Sequence, residues 1–251
     1  MTQQTLARLR ELKLSGMAAG LEQQLTQIST YEGLSFIERL GLLAEQEHLM
    51  REQRKQARLV QKARLKLGAT VQEIDYQHPR NIERAQIARL AQGDWLERGQ
   101  NVLITGPCGS GKTYLACAFG HNACLHGYSV QYYRLSRLLQ ALTQAKADGS
   151  YPKLLRQLAR IRLLVLDDWG LEPLTQAHRN DLLEIMDDRH GQSSTMVISQ
   201  LPTEQWYGSI GDNTLADAIL DRLMHNAHRL QLKGESMRKR QDKLTQDEQS
   251  G

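Results

Sequence analysis

One short loop limits the folds open to this chain more than any other feature. Residues 106–113 read GPCGSGKT and satisfy the pattern G-x-x-x-x-G-K-[ST]. An apolar run typical of a buried strand, NVLIT at 101–105, precedes the loop, and a helical pattern from Lys112 to Gly127 follows it. In this context glycines let successive backbone amides face phosphate oxygens at the positive end of the helix. The loop therefore predicts a phosphate-binding α/β domain.

The loop residues have distinct expected roles. The Lys112 ammonium group would reach the β- and γ-phosphates of ATP, and the Thr113 hydroxyl would bind Mg²⁺. ATP and Mg²⁺ are accordingly the predicted cofactors. The predicted nucleotide-binding residues are Gly106, Pro107, Cys108, Gly109, Ser110, Gly111, Lys112, Thr113 and Tyr114.

A second motif, LLVLDDWG, carries two adjacent carboxylates. Asp167 falls at the carboxyl end of an apolar strand, where parallel sheets place their ligands, and it is predicted to hold the Mg²⁺ shell together with Thr113. Asp168 follows and would orient or deprotonate the attacking water. Seen alone, the acidic pair could also be a turn that caps the next segment.

The chain divides into two regions whose hydrophobic residues have different spacing. Residues 1 to about 70 contain no proline and show only helical periodicity. After a linker near residues 68–80, apolar runs at 101–105, 128–133, 162–168 and 194–200 alternate with helical patterns, which predicts a parallel sheet. The predicted division is a helical domain at 1–70, an ATPase domain at 71–232 and a basic polar tail at 233–251.

A basic segment near the end of the helical region favours a polyanionic partner. The chain has a formal net charge of +4, and the stretch from Arg51 to Leu67 contains a single acid, Glu52. Such a helix could neutralise DNA phosphates without reading bases, although it could equally be a solvated helix that links two domains. The predicted DNA-binding residues are Arg51, Arg54, Lys55, Arg58, Lys62, Arg64 and Lys66.

Other features of the sequence indicate the cellular compartment of the protein. No apolar run approaches the length of a membrane span, and the amino terminus lacks the apolar core of a signal peptide. We therefore expect a cytoplasmic protein with no membrane partner. Three cysteines without a CxxC pair argue against a disulfide framework and against a structural zinc site.

Several motifs in a fixed order resemble one family. LLVLDDWG, TMVISQLP, LADAILDRLMHNA and GESMR follow the loop, and LARLRELKLSGMAAGLEQQL lies near the amino terminus. Together they resemble the AAA+ group that contains the DnaC helicase loaders and the IstB transposition helpers of bacterial insertion sequences, with the amino terminus similar to IstB. The resemblance implies an AAA+ P-loop NTPase core, with its parallel sheet sandwiched by helices, preceded by a small all-helical domain.

The resemblance also implies further site residues. Ser199 and Gln200 occupy the sensor I position, and which of them acts is left open. Arg222 resembles the arginine finger that reaches a neighbouring subunit's nucleotide, and Arg238 resembles sensor II. Without the family pattern, these residues would be a strand end, a solvated helix arginine and part of a basic tail. The full predicted catalytic set is Lys112, Asp168, Ser199, Gln200, Arg222 and Arg238.

The function implied by the resemblance is a cycle of assembly. ATP would hold a homo-oligomer together on duplex DNA, the assembly would recruit and stimulate the transposase, and hydrolysis would release it. One alternative is a DnaC-type loader that grips a replicative helicase through its amino-terminal domain. Another is a small-molecule kinase, which would need a lid and an acceptor pocket.

Overall fold

The computed structural model describes residues 2–234 and divides into two compact units, with the boundary between Arg58 and Leu59. The first unit is built only from helices, as the sequence predicted. Its elements are α1 (Thr2–Glu11), α2 (Ser15–Thr26), α3 (Ile28–Tyr31) and most of α4 (Phe36–Ala63), which continues across the boundary.

Local sequence explains how this helical unit is held together. Ser35 and Glu38 form a capping box at the start of α4: the Ser35 amide donates to Glu38 Oε2 at 2.8 Å, and the Glu38 amide donates to Ser35 Oγ at 3.3 Å. The amide of Gly16, in the first turn of α2, donates to Glu47 Oε2 at 2.7 Å. A Cβ at Gly16 would lie 2.5 Å from the Glu47 Cα, so glycine is what lets α2 and α4 approach so closely.

The second unit is an α/β domain with five strands. Its elements are α5 (Arg84–Gln92), α6 (Asp94–Glu97), β1 (Asn101–Thr105), α7 (Lys112–Leu125), β2 (Val130–Arg134), α8 (Leu135–Asp148), α9 (Tyr151–Arg160), β3 (Leu163–Trp169), α10 (Gln176–Arg189), β4 (Ser194–Ser199), a 3₁₀ turn (Thr203–Gln205), α11 (Trp206–Ile210), α12 (Asn213–Met224) and β5 (Ala227–Gln231).

All strand pairs in the sheet are parallel, and the order is β2-β3-β4-β1-β5. Alternate residues of each strand face opposite layers. Val102 and Ile104 pack with α7 in one core, whereas Leu103 packs with helices α8 to α12 in the other. The predicted sandwich of a parallel sheet between helices is confirmed. Within residues 2–234, no helix is both long and apolar enough to cross a membrane.

Three features differ from the sequence predictions. The basic helix ends at Ala63 rather than Leu67, and Arg64 follows with a left-handed φ of 52°. The division between units falls earlier than residue 70, because Leu59, Val60 and Leu65 pack against the core of the second unit. The fifth strand and helices α5 and α6 were not assigned, and β5 buries only Leu230, which leaves little apolar pattern to detect.

Candidate nucleotide-binding site

The phosphate loop joins β1 to α7, as its sequence predicted. Gly106 has a φ of 146°, and a Cβ there would lie 2.6 Å from the carbonyl oxygen of Leu232, just after β5. Gly111 has a φ of 92° and immediately precedes α7. These backbone conformations are ones that side chains disfavour, which is the physical reason for glycine at these positions.

Lys112 is part of the phosphate-loop motif and is the first residue of α7. Its Nζ donates hydrogen bonds to the carbonyl oxygens of Gly106 at 2.7 Å and Pro107 at 2.8 Å. Burial lowers the pKa of Lys112, while the negative charges around it, including those of Asp167 and Asp168, act in the opposite direction. The arrangement places a lysine side chain at the loop, next to both carboxylates.

Asp167 is the centre of a buried polar cluster. Its side chain is almost fully buried, and its Oδ2 accepts hydrogen bonds from Thr113 Oγ1 at 3.0 Å and from the Tyr132 hydroxyl. Its Oδ1 accepts from the backbone amide of Asp168 at 2.9 Å. The structure thus brings together Thr113 and Asp167, the two residues predicted to hold a metal.

The donors around Asp167 suit a magnesium ion bound together with a nucleotide. A hydroxyl and a carboxylate are hard oxygen ligands of the kind that Mg²⁺ prefers. Among residues 2–234 no group of three or more His, Cys, Asp or Glu could hold a metal ion alone, so phosphate oxygens and water would have to complete the shell. A cavity of about 680 Å³ lies over Lys112, Thr113 and Asp167, a size typical of small-molecule sites.

A β-bulge directs Asp168 into this cavity. Leu166 pairs with Val197 and Trp169 pairs with Ser199, so β3 contains one residue more than β4 between these two pairs. Asp168 has a φ of 64°, a conformation that aspartate tolerates better than most side chains. Its Oδ2 lies 3.6 Å from the Arg134 Nε, and it borders both the nucleotide cavity and a second cavity of about 520 Å³.

The two sensor I candidates differ in how their side chains are engaged. The Ser199 hydroxyl donates to the carbonyl oxygen of Trp169 at 2.8 Å and accepts from the Leu201 amide at 3.0 Å. Its only proton is therefore used within the fold. Gln200 is exposed and lines the nucleotide cavity. We therefore favour Gln200 as the residue that could contact a phosphate or the attacking water.

Arg222 does not join the other predicted catalytic residues. Its carbonyl oxygen accepts a hydrogen bond from Asn101 Nδ2 at 3.0 Å. Asn101 is the first residue of β1, and the phosphate loop follows the last residue of that strand. The two ends of β1 are about 13 Å apart, because four residues of extended chain separate them. The Arg222 guanidinium pairs with Asp187 on α10 and donates to the carbonyl oxygen of Ala218 at 2.7 Å. Arg238, the sensor II candidate, lies outside the described residues.

Tyr132, Arg134 and Arg80 are site residues that sequence reasoning missed. Tyr132 lies on β2 two residues before Arg134, and residues two apart on a strand share a face. In the backbone register of the sheet, Arg134 lies opposite Asp167 on β3. The pairing of β2 with β3, which the sequence does not specify, then brings Tyr132 to the face of Asp167. Arg80 is buried beneath the phosphate loop, where it donates to the carbonyl oxygen of Ser110 at 3.3 Å. Nothing in the polar linker pattern signalled this contact.

Of the seven basic residues predicted to bind DNA, five lie on α4 and two, Arg64 and Lys66, follow it. All seven are exposed, and the five on α4 have spacings that place them on one face of a helix. Arg51 pairs with Glu47 at 2.6 Å. Lys66, in contrast, lies beside Asp167 and lines the nucleotide cavity, since α4 ends at Ala63 and Arg64 follows it with a left-handed φ. The structure therefore assigns Lys66 to the nucleotide site rather than to the basic face of α4.

Alkylation should distinguish Cys108 from the other two cysteines. Cys108 is exposed and lines the cavity, whereas Cys117 and Cys124 are buried. Burial raises the pKa of both buried thiols, that of Cys124 to about 11, and the thiolate is the reactive form. We expect N-ethylmaleimide to label Cys108 alone in the native protein, as mass spectrometry can measure, and ATP with Mg²⁺ to slow the labelling. Cys108→Ser is the control, and a labelling rate indifferent to ATP would contradict the site.

The chain is similar to a family of ATP-binding proteins over almost its whole length. A family model described as IstB-like ATP binding protein matches residues 7–245. An insertion sequence ATP-binding protein of Sinorhizobium fredii is 47% identical over 237 residues, which cover 94% of this chain and 96% of the relative. The ATP-binding protein of insertion sequence IS1162 from Pseudomonas fluorescens is 46% identical over 215 residues, which cover 85% and 92%.

Two solved structures share the fold at low sequence identity. The crystal structure of the DnaC helicase loader matches with a TM-score of 0.54 and 20% identity, covering 66% of this chain and 97% of that structure. The crystal structure of DnaI matches with a TM-score of 0.56 and 19% identity, covering 67% and 90%. At these identities the likeness concerns the fold.

Proposed function

This chain belongs to the family of IstB-like ATP-binding proteins, and on that premise we propose that it is a transposition helper ATPase that works in the cytoplasm. In this proposal ATP binding assembles copies of the chain on duplex DNA, the assembly recruits the transposase, and hydrolysis releases it. The observation that carries the ATP-dependent part is the 3.0 Å contact between Thr113 and Asp167 at the loop that contains Lys112.

Each residue of the site has a chemical task in this cycle. The loop amides and Lys112 bind phosphate oxygens, and Thr113 and Asp167 hold the metal. When bound, Mg²⁺ neutralises charge on the β- and γ-phosphates. Tyr132 fixes the orientation of Asp167 through its hydroxyl. Asp168, which the bulge directs into the cavity, orients the attacking water and accepts its proton.

The position of Arg222 supports a site that is completed by a neighbouring copy. The Arg222 backbone lies at the amino-terminal end of β1, and the phosphate loop of its own chain lies at the other end, so Arg222 is poorly placed to act on its own nucleotide. A guanidinium supplied in trans would stabilise the charge that develops on the γ-phosphate. ATP would then stabilise contacts between subunits, and hydrolysis would weaken them.

The basic face of α4 supports a contact with the DNA backbone. Arg54 and Arg58 are exposed and stand on the same helix face as Arg51, Lys55 and Lys62. Cations arranged in this way bind phosphates and release condensed counterions, which gives affinity with little sequence preference. The replication initiator DnaA shares this fold and is 17% identical in sequence, and its structure was solved with AMPPCP and single-stranded DNA bound.

The choice of transposase over helicase as the partner rests on the extent of each likeness. The insertion sequence relative from Sinorhizobium fredii aligns with 94% of this chain, whereas the DnaC structure covers 66% of it at 20% identity. Binding of the purified chain to an insertion-sequence transposase, compared with binding to a replicative helicase, tests this choice. Selective binding to the helicase would favour the loader.

Neutralising the α4 face should weaken DNA binding in a salt-dependent way. For the double substitution Arg54→Gln and Arg58→Gln, the slope of log affinity against log salt should fall by about two, one for each lost phosphate contact. Fluorescence anisotropy with a labelled duplex, in ATP with Mg²⁺ and over a salt series, measures this slope. We expect wild-type binding to be stronger with ATP than without it.

Two variants serve as controls for the DNA experiment. Arg89→Gln with Arg98→Gln removes the same charge from exposed positions outside α4 and should keep the wild-type slope. Lys112→Ala should abolish nucleotide binding and, with it, the stimulation of DNA binding by ATP. Equal slopes for the two double variants would contradict the role of α4, and persistent stimulation in Lys112→Ala would contradict coupling to ATP.

A further inference from the structure

The segment after α4 carries Lys66 into the metal site. The helix α4 ends at Ala63, and Arg64 follows it in a left-handed conformation. Leu65 then packs where Gly120 of α7 leaves room, since a Cβ at position 120 would lie 2.9 Å from Leu65 Cδ2. Backbone hydrogen bonds from Leu67 and Lys66 reach the Cys117 thiol of α7, where they act against the rise in its pKa that burial causes. These contacts with α7 fix where the Lys66 side chain begins.

The Lys66 ammonium group approaches the oxygen that the metal would use. Lys66 Nζ lies 3.9 Å from Asp167 Oδ2, the same atom that accepts a hydrogen bond from Thr113. Asp167 is almost fully buried, and its charge is costly to bury without a compensating cation. The Lys66 side chain remains 33% exposed, so it can swing away without disturbing the core.

We propose that Lys66 is a tethered cation that competes with Mg²⁺ for Asp167. The ammonium group compensates the buried carboxylate, and it has to leave when the metal and nucleotide are loaded. Lys66 therefore raises the Mg²⁺ concentration that nucleotide loading requires. The inference rests on the proposed assignment of Thr113 and Asp167 to the metal, and it makes residues 64–67, which directly follow the basic helix, the segment that responds to loading.

A magnesium titration with a fluorescent ATP analogue, in the absence of DNA, tests this role. In the full chain, Lys66→Met should lower the Mg²⁺ concentration at half-maximal nucleotide binding by about fivefold, the upper end of what a partly exposed ion pair contributes. Nucleotide binding in EDTA should not change. Lys66→Arg, which keeps the charge, should retain the wild-type midpoint, and so should Lys153→Met, which removes an exposed lysine on α9.

Thr113→Ala separates failure of the inference from failure of the site. This variant should raise the Mg²⁺ midpoint, because it removes one of the two protein oxygens. If it does and Lys66→Met leaves the midpoint unchanged or raises it, the competition is wrong. Weaker binding of Lys66→Met in EDTA would instead make Lys66 a phosphate ligand, which also overturns the proposal. If Thr113→Ala has no effect, the metal assignment fails and the inference falls with it.

Discussion

Replacing Arg222 with alanine should reduce ATP turnover by about 10³–10⁵-fold, the effect expected for an arginine that stabilises the phosphoryl-transfer transition state. ATP binding to a single chain should persist, because the phosphate loop lies at the other end of β1 from Arg222. Assembly that depends on ATP should be lost together with turnover. Steady-state hydrolysis, nucleotide binding and sedimentation with and without ATP measure the three properties separately.

Asp187→Asn is the matched control for this loss. Arg222 pairs with Asp187, so a defect in Arg222→Ala could arise from the broken ion pair and a disturbed helix packing. Asp187→Asn removes the pair but keeps the guanidinium. It should therefore retain turnover, and similar thermal stability of the two variants would show that their difference in turnover comes from the guanidinium and not from folding. A loss of turnover in Asp187→Asn as large as that in Arg222→Ala would assign Arg222 a purely structural role.

Mixing two inactive variants tests whether Arg222 acts on a neighbouring copy. An Arg222→Ala subunit has an intact nucleotide site, and an Asp168→Asn subunit has an intact Arg222. If the finger works in trans, a mixture of the two should recover part of the wild-type turnover, because the second subunit completes the site of the first. Mixtures no more active than either variant alone would contradict action in trans.

The sequence predicts those parts of the site that depend on neighbours along the chain. The strand, glycine loop and helix around Lys112 form one local unit, and Asp167 follows a continuous apolar run, so both could be placed without coordinates. Tyr132 and Arg80 depend on contacts between distant segments, which periodicity does not encode. The run of charge predicts a solvated helix that includes Lys66, whereas the structure ends that helix at Ala63 and places Lys66 beside Asp167, and the sequence offers no signal for the left-handed Arg64 between them.

The bulge in β3 is the clearest case of geometry that the sequence motif does not reveal. Two adjacent aspartates on a regular strand would point to opposite faces of the sheet. The extra residue between Leu166 and Trp169, with the left-handed φ of Asp168, lets both carboxylates border the same cavity. A β-branched or bulky residue at 168 would strain this conformation. The acidic pair thus specifies both the chemistry and a backbone shape that few residues accept.

Asp168→Asn should reduce ATP turnover by about 10²–10⁴-fold, the usual contribution of a positioned general base. Asparagine also tolerates a left-handed conformation, so the bulge and the binding of ATP should be preserved. The amide can still orient a water molecule, but it cannot accept the proton. Single-turnover hydrolysis and nucleotide affinity measure the expected split between chemistry and binding. Arg134→Gln is the companion variant, since it removes the 3.6 Å contact with Asp168 while leaving the carboxylate in place.

The same variant should hold the assembly in its ATP-bound form. If hydrolysis is the step that weakens subunit contacts, an Asp168→Asn oligomer on duplex DNA should dissociate more slowly than wild type in ATP and Mg²⁺, by a factor that approaches its loss of turnover. Lys112→Ala, which cannot bind nucleotide, should form no such complex. Wild-type dissociation that is as slow as that of Asp168→Asn would mean that hydrolysis does not drive release. In that case ATP would act only as an assembly ligand, and the carboxylate beside the bulge would have no part in disassembly.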